Sequence, residues 1–230
     1  MNARLLRALI PIAMLPAAWQ VATAAEPGFY AGIAYSQSDY KIGREAFDAE
    51  AGLALASQGF VPETATFSFD TKSPGYGFVV GYRMYPFLAF EGGYLDMGKV
   101  SYRVASDGTQ LDEPASANLS FNARTSGIAV SALGILPLNY RWEFYGRVGA
   151  LFATNRSDIY LTDSLSDIFG PLVGEASSSK TNVLVGAGVS FSMLEIYGVR
   201  LEYQRAFDVE AQAIGTGDVD LLTLGVTVQF

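Results

Sequence analysis

Six charged residues lie within chain segments that are otherwise rich in glycine and aromatic side chains. Three are acids and three are bases: Glu91, Glu143, Glu202, Arg83, Arg147 and Arg200. A charge that is removed from water needs a partner of opposite sign or strong hydrogen bonds. Two kinds of chemistry are therefore open to this set. A carboxylate pair such as Glu91 and Glu143 could exchange protons, or acids and bases could pair across a narrow space.

The composition argues against catalysis. The 230 residues include no cysteine and no histidine, so a Ser-His-Asp triad, a thiolate nucleophile and a disulfide framework are all excluded. The formal net charge is −8, and bases are not clustered, which makes nucleic acid an unsuitable partner. We predict a protein that is not an enzyme and that needs no cofactor or resident metal.

The N-terminal segment has the features of a secretory signal. An apolar stretch over residues 5–18 is too short to span ~30 Å of hydrocarbon. The sequence Ala22-Thr23-Ala24 that follows fits a signal-peptidase site, with Ala25 as the alternative final residue. The predicted division is a cleaved signal peptide over 1–24 and a mature domain over 25–230.

The mature chain alternates apolar and small or polar residues in segments of about ten residues, the pattern of membrane-spanning strands. Short turn signals and long polar stretches connect these segments in alternation. The predicted strands are 29–38, 76–85, 88–100, 119–136, 142–153, 182–191, 197–207 and 219–230. We therefore predict an all-β, eight-stranded antiparallel up-and-down transmembrane barrel with four long outer loops and three short periplasmic turns.

The first long polar stretch, residues 41–73, has a distinctive composition, whereas the later polar stretches are typical of loops. Residues 44–57 are rich in Ala, Glu and Leu and predict a short helix. Phe60, Phe67 and Phe69 could extend a hairpin above the membrane. The stretch over 41–73 is interpreted either as a binding surface for an extracellular partner or as a solvated loop. Residues 104–118 and 155–179 are further polar stretches, which predict outer loops.

A soluble β-sandwich or lipocalin-like barrel would show the same alternation, with its apolar face packed inward. The membrane interpretation is favoured because small residues lie opposite the apolar stripe. Aromatic residues also concentrate near strand ends, which is typical of an interfacial girdle. The predicted lumen is narrow and is filled by Gly, Ser, Thr and charged side chains.

Short motifs resemble the small OmpA-type outer-membrane barrels. Gly28-Phe29-Tyr30-Ala31-Gly32 resembles their first strand. Gly81-Tyr82-Arg83, followed by residues 88–94, is similar to their second hairpin. Tyr145-Gly146-Arg147-Val148-Gly149 resembles the fifth strand, and 198–203 the seventh. The resemblance implies a bacterial outer-membrane location. Larger members carry a peptidoglycan-binding domain after the barrel, and we expect none in this protein.

The end of the chain resembles the insertion signal that the barrel-assembly machinery reads. Gly225, Val228 and Phe230 match that signal, while Leu224 departs from the polar residue usual before the glycine. The resemblance implies assembly-machinery contact through the last strand. The other expected partners are membrane lipid with lipopolysaccharide and an unidentified extracellular partner, and the expected oligomeric state is a monomer.

Strand parity points Glu91, Glu143, Arg147, Arg200 and Glu202 into the lumen, with Arg83 nearer the periplasmic end. The family resemblance supports a lumenal salt-bridge system in general terms. One interpretation is an ion-paired plug in a barrel with a structural or surface-interaction role, in envelope integrity, adhesion or as a surface antigen. The alternative is a narrow small-solute or ion channel that is gated by rearrangement of these pairs.

Overall fold

The computed structural model describes residues 27–41, 43–57, 59–110, 113–162, 172–193, 196–211 and 215–230. Strands occupy most of this part of the chain, and the helix expected over 44–57 is confirmed. The elements in chain order are β1 (Gly28–Lys41), α1 (Arg44–Ser57), β2 (Phe60–Asp70), β3 (Lys72–Tyr85), β4 (Leu88–Gln110), β5 (Glu113–Pro137), β6 (Trp142–Thr162), β7 (Leu172–Ser192), β8 (Tyr197–Ala211) and β9 (Gly215–Gln229).

Eight of the strands close into an antiparallel ring. Each of β3 to β9 pairs with its neighbour in sequence, and β1 closes the ring by pairing with both β3 and β9. The remaining strand, β2, pairs with the far half of β4 and continues the line of β3 beyond Thr71. Closure leaves no sheet edge within the ring, as a structure in lipid requires. The predicted up-and-down barrel is confirmed.

The ring has two distinct ends. We call the end with the short turns after β3, β5 and β7 the lower end, and the opposite end the upper end. Rings of aromatic side chains surround the lower end. The rings of Trp142 and Phe191 lie 4.6 Å apart, and those of Tyr85 and Phe87 stack at 5.6 Å. These contacts are typical of an interfacial girdle.

The faces of the strands follow the predicted alternation. On β5, Ile128 and Val130 are more than half exposed on the outer face, whereas Ser131 and Leu133 are buried inside. The same division holds on the other ring strands, which together give an outward apolar band, the lipid band. Among the described residues, no helix is both long and apolar enough to cross a membrane.

The prediction that 104–118 and 155–179 form outer loops is wrong for most of their length, because strands continue through them. Strand β4 continues to Gln110, β5 begins at Glu113, and β6 and β7 extend equally far. Above the lipid band the outward face meets water, so it carries no apolar stripe to mark a strand. Only the inward positions, such as the buried Val104 and Ala117, keep the period-two signal.

These extensions form a second folded layer, which we call the upper sheet. It consists of β2 and the upper parts of β4, β5, β6 and β7. The helix α1 lies against it, because Ala51 and Leu55 are buried in the same cluster as Phe60 and Tyr102. The Tyr102 hydroxyl donates a hydrogen bond of 2.6 Å to Asp48. The first outer connection is therefore a packed helix and strand.

A β-bulge in β4 separates the ring from the upper sheet. Asp96 pairs with Ser126 and Lys99 pairs with Arg124, so β4 has one residue more than β5 between these points. Gly98 lies within the bulge with a φ of 73°, a conformation that glycine tolerates best. The extra residue reverses the alternation, so inward side chains are odd-numbered below the bulge and even-numbered above it.

The lumen differs from the prediction in its upper half. Gly, Ser and the paired glutamate and arginine side chains fill the lower half. Above them lies an apolar layer of completely buried side chains, Met97, Leu151, Leu184 and Leu221, with buried polar residues such as Ser38 and Asn182 beside it. Isolated aliphatic residues at inward positions are hard to distinguish in the sequence from the outward stripe beside them, which explains the error.

Candidate functional site

The central feature of the lumen is a four-charge cluster contributed by three strands. Arg147 of β6 lies between two acids, with its Nη2 2.6 Å from Glu91 Oε2 and its Nε 2.5 Å from Glu202 Oε1. Arg200 of β8 places its Nη1 2.5 Å from the other oxygen of Glu91. Two bases thus balance two acids, and both carboxylates are almost completely buried.

Two tyrosines complete this cluster, although neither was among the six residues predicted to face the lumen. The hydroxyl of Tyr30 donates to Glu91 at 2.7 Å, and that of Tyr145 donates to Glu202 at 3.0 Å. The guanidinium of Arg200 lies 4.8 Å from the ring centre of Tyr30 and 5.5 Å from that of Tyr145. A bulky tyrosine among small inward residues is the signal that could have identified both.

Glycines on neighbouring strands make room for the two tyrosine rings. A Cβ atom at Gly81 would overlap the ring of Tyr30, and one at Gly188 would overlap the ring of Tyr145. Neither glycine has a positive φ, so the requirement is for space and not for backbone conformation. The glycine-rich inner face therefore sets where the tyrosines lie and, through them, where the carboxylates lie.

The remaining two predicted residues form a separate pair near the lower end. The guanidinium of Arg83 contacts both oxygens of Glu143, at 2.7 and 3.3 Å. The same guanidinium also donates to the carbonyl oxygen of Pro86 at 2.8 Å, in the turn between β3 and β4. The structure thus divides the six charged residues into a cluster of four and a pair of two.

Two small cavities flank the four-charge cluster. The upper one, of about 80 Å³, is lined by Glu91 and Arg147 together with Gln204 of β8. The lower one, of about 50 Å³, lies between Arg200 and the Arg83–Glu143 pair. Volumes of this size hold a few water molecules. The apolar layer lies above the upper cavity, so the lumen is obstructed at two successive levels.

The predicted C-terminal residues lie at the seam of the ring. Gly225 is on the inner face of β9, opposite Ala34 of β1. Val228 lies opposite Ala31, and the backbone nitrogen of Phe230 donates to the carbonyl oxygen of Phe29 at 2.8 Å. The ring of Phe230 is 80% exposed.

The predicted cleavage residues Ala22 and Ala24 lie outside the described residues. The structure therefore provides no geometry for the signal peptide.

A closed antiparallel ring with an outward apolar band, an aromatic girdle and ion pairs inside is a transmembrane β-barrel. The model of the OmpA-like transmembrane domain matches residues 24–230, and the chain belongs to this family. The protein is therefore located in the bacterial outer membrane. The resemblance that the short motifs indicated is confirmed.

Two curated relatives show the extent of the likeness. Outer membrane protein A of Shigella flexneri is 24% identical over 174 residues, which cover 75% of this chain and 44% of the relative. Outer membrane protein A of Escherichia coli O157:H7 is 25% identical over 158 residues, which cover 68% of this chain and 39% of the relative. The chain spans less than half the length of these relatives.

Two solved structures show the extent of the likeness in fold. Ail, the attachment invasion locus protein of Yersinia pestis, has a TM-score of 0.45 and 17% identity, with 89% of this chain and 99% of that chain covered. Neisserial surface protein A has a TM-score of 0.48 and 15% identity, with 88% of this chain and 97% of that chain covered.

Proposed function

We propose that this protein is a non-enzymatic, non-conducting barrel with a structural and surface-interaction role, which holds the upper sheet above the outer membrane. One observation carries the proposal: charged and apolar side chains fill the lumen at two successive levels. The lower level is the four-charge cluster, and the upper level is the apolar layer around Leu151 and Leu184.

The lower level resists opening because its charges are removed from water and paired with one another. Moving Arg200 away from Glu91 would separate two buried charges. It would also remove the contact between the guanidinium and the ring of Tyr30. Breaking a buried ion pair by removing one partner costs roughly 3–5 kcal/mol. A transient opening by rotamer change would have to break the same ion pair, so the free-energy barrier to opening has the same cause.

The upper sheet supports a role in contacts at the cell surface. Its inner face is packed against α1, so the outer face has a fixed shape. That outer face is dominated by small polar side chains, Ser and Thr on β2 and β7 and Asn on β5. A rigid polar surface suits adhesion, antigen display or an extracellular protein partner.

Conductance of the purified protein in planar bilayers tests this proposal. We expect no steady ion current and no sugar uptake in liposome swelling, because neither cavity continues through the apolar layer. A matched control is the same preparation after heat unfolding, which shows that any current needs the folded barrel. Steady current or rapid sugar uptake by the folded protein would contradict the proposal.

The gated channel is the second candidate, and the two cavities are the observation that favours it. They lie on either side of the cluster, so displacement of Arg200 would join them. The variant Arg200→Ala separates the candidates. A channel gated at this level would conduct more current in the variant, whereas a barrel that is also closed around Leu151 would still show no current.

The assembly-machinery contact also remains a proposal, which the exposure of Phe230 supports. The variant Phe230→Ser should reduce the amount of assembled protein in outer-membrane fractions. The control Phe87→Ser changes an aromatic residue of similar exposure in a lower turn. Equal assembly of the two variants would contradict a special role for the terminal residue.

A further inference from the structure

Three basic residues lie side by side on the outer face of the barrel, just above the lipid band. Lys99 of β4 is the cross-strand partner of Arg124 of β5, and Arg124 is the cross-strand partner of Arg156 of β6. All three side chains are exposed. We call these residues the basic row.

This arrangement is unfavourable for the protein alone. Directly opposed residues in an antiparallel sheet have Cβ atoms about 5 Å apart, and like charges at that distance destabilise the pairing. Arg124 pairs with the buried carboxylate of Asp96. Within the part of the chain that the structure describes, neither Lys99 nor Arg156 forms an ion pair. An external anion would relieve the repulsion.

The height of the basic row indicates which anion it meets. Ile128 and Phe152 are exposed apolar residues of the lipid band, and each lies four residues below an arginine of the row on the same strand. Four residues extend about 13 Å along a strand, and strand tilt reduces the height to about 10 Å. This is the level of the polar headgroups, not of the distant solvent.

The bulge at Gly98 is what brings Lys99 into the row. If β4 paired regularly with β5 and had no bulge, Lys99 would lie opposite Ala123 and point into the lumen, as Leu95 and Met97 do. The side chain instead lies on the outer face beside Arg124. The bulge therefore adds a third positive charge to a surface that already carries two.

We propose that the basic row binds phosphate groups on the headgroup of the outer-leaflet glycolipid, lipid A. Guanidinium groups match phosphate oxygens in a bidentate manner, and lysine adds a point charge. One phosphate between Arg124 and Arg156 would replace their repulsion by two attractions. Binding at this site determines which side of the barrel faces a bound lipid. It also sets the depth of the barrel in the membrane.

Binding of bisphosphorylated lipid A to the barrel purified in detergent tests the site, by calorimetry and by thermal unfolding. The test variant is Lys99→Gln with Arg156→Gln, since both side chains are exposed and neither forms an ion pair with a described residue. It leaves Arg124 in place to neutralise Asp96. The matched control is Arg103→Gln, on the same outer face but four residues higher on β4.

We expect the double variant to bind lipid A about tenfold more weakly or worse, because two charge-assisted contacts are lost. The affinity of the Arg103→Gln control for lipid A should stay within about twofold of that of the parent protein. Arg156→Lys should retain most of the affinity. Without lipid A, Arg156→Gln should unfold at the same temperature as the parent or higher, because repulsion with Arg124 is removed.

Four results would overturn the proposal. These are unchanged binding by the double variant, an equal loss in the Arg103→Gln control, equal binding of dephosphorylated lipid A, and an equal unfolding shift from inorganic phosphate at the same concentration. The last result would assign the row to free phosphate and not to a lipid. None of these measurements depends on conductance, so the site and the closed-barrel proposal fail independently.

Discussion

Tyr30 and Arg200 both donate to the same carboxylate oxygen, Oε1 of Glu91, at 2.7 and 2.5 Å. Their side chains also contact each other, with the guanidinium 4.8 Å from the ring centre. One glutamate oxygen on β4 thereby joins β1 to β8 across the interior of the barrel. Pairing between neighbouring strands cannot supply this link, because β4, β1 and β8 are not adjacent.

Replacement of Glu91 by glutamine should be strongly destabilising. Arg147 and Arg200 would then share only Glu202, and one buried positive charge would be left without compensation. We expect a loss of about 3–5 kcal/mol in the free energy of unfolding. Urea unfolding in detergent, followed by heat-modifiable gel mobility, measures it. The control Glu63→Gln changes an exposed acid on β2, and equal effects of the two changes would contradict the assignment.

Removal of the Tyr30 hydroxyl should have a smaller effect. In Tyr30→Phe the ring still lies under Arg200, and only the hydrogen bond to Glu91 is lost. We expect about 1–2 kcal/mol of destabilisation, measured by the same unfolding experiment. A loss as large as that of Glu91→Gln would show that the hydroxyl, and not the charge balance, dominates the cluster.

Glycines beneath the tyrosine rings should not tolerate a methyl group. In Gly188→Ala the new Cβ would displace the ring of Tyr145, and about 1–3 kcal/mol of stability should be lost. Gly134→Ala is the matched control on β5, because no atom lies within 4 Å of the added Cβ. Thermal unfolding of the two variants should separate them. Equal midpoints would mean that the Tyr145 ring can move freely.

The docking of α1 on the upper sheet can be tested within one helix. Leu55 is 5% exposed in the core of the upper sheet, while Leu53 is 67% exposed. In Leu55→Asp the buried carboxylate should release the helix and expose 44–57 to limited proteolysis, with the ring itself intact. Leu53→Asp should leave the cleavage pattern unchanged. Identical patterns in both variants would contradict the packed helix.

Much of the ring could be predicted because a membrane wall imposes a strict pattern. An outward side chain in lipid must be apolar, and each segment must be long enough to span. The alternation in segments such as 142–153 therefore shows both the strand and its faces. The chemistry of the lumen followed from the same parity, which placed Glu91, Arg147 and Glu202 on the inner side before any distance was known.

Above the membrane that rule no longer applies, and the sequence was a weaker guide. The outer face of the upper sheet meets water, so strands continuing to Gln110 and Thr162 resembled loops. The helix over 44–57 was still recognisable from its own composition. Its burial in one cluster with strand residues such as Phe60 and Tyr102 depends on packing between distant segments, which no local pattern carries.

By itself, the sequence determined the strands of the ring and the charged residues that face inward, because lipid and burial constrain each position. The outer-membrane location followed from the resemblance of its short motifs to a known family. Only the tertiary structure decided which acid meets which base. The division into a cluster of four and a separate Arg83–Glu143 pair depends on the heights at which strands from different parts of the chain align. The bulge at Gly98 was equally hidden. One extra residue changes little in the composition, yet it reverses the faces of β4 and places Lys99 beside Arg124.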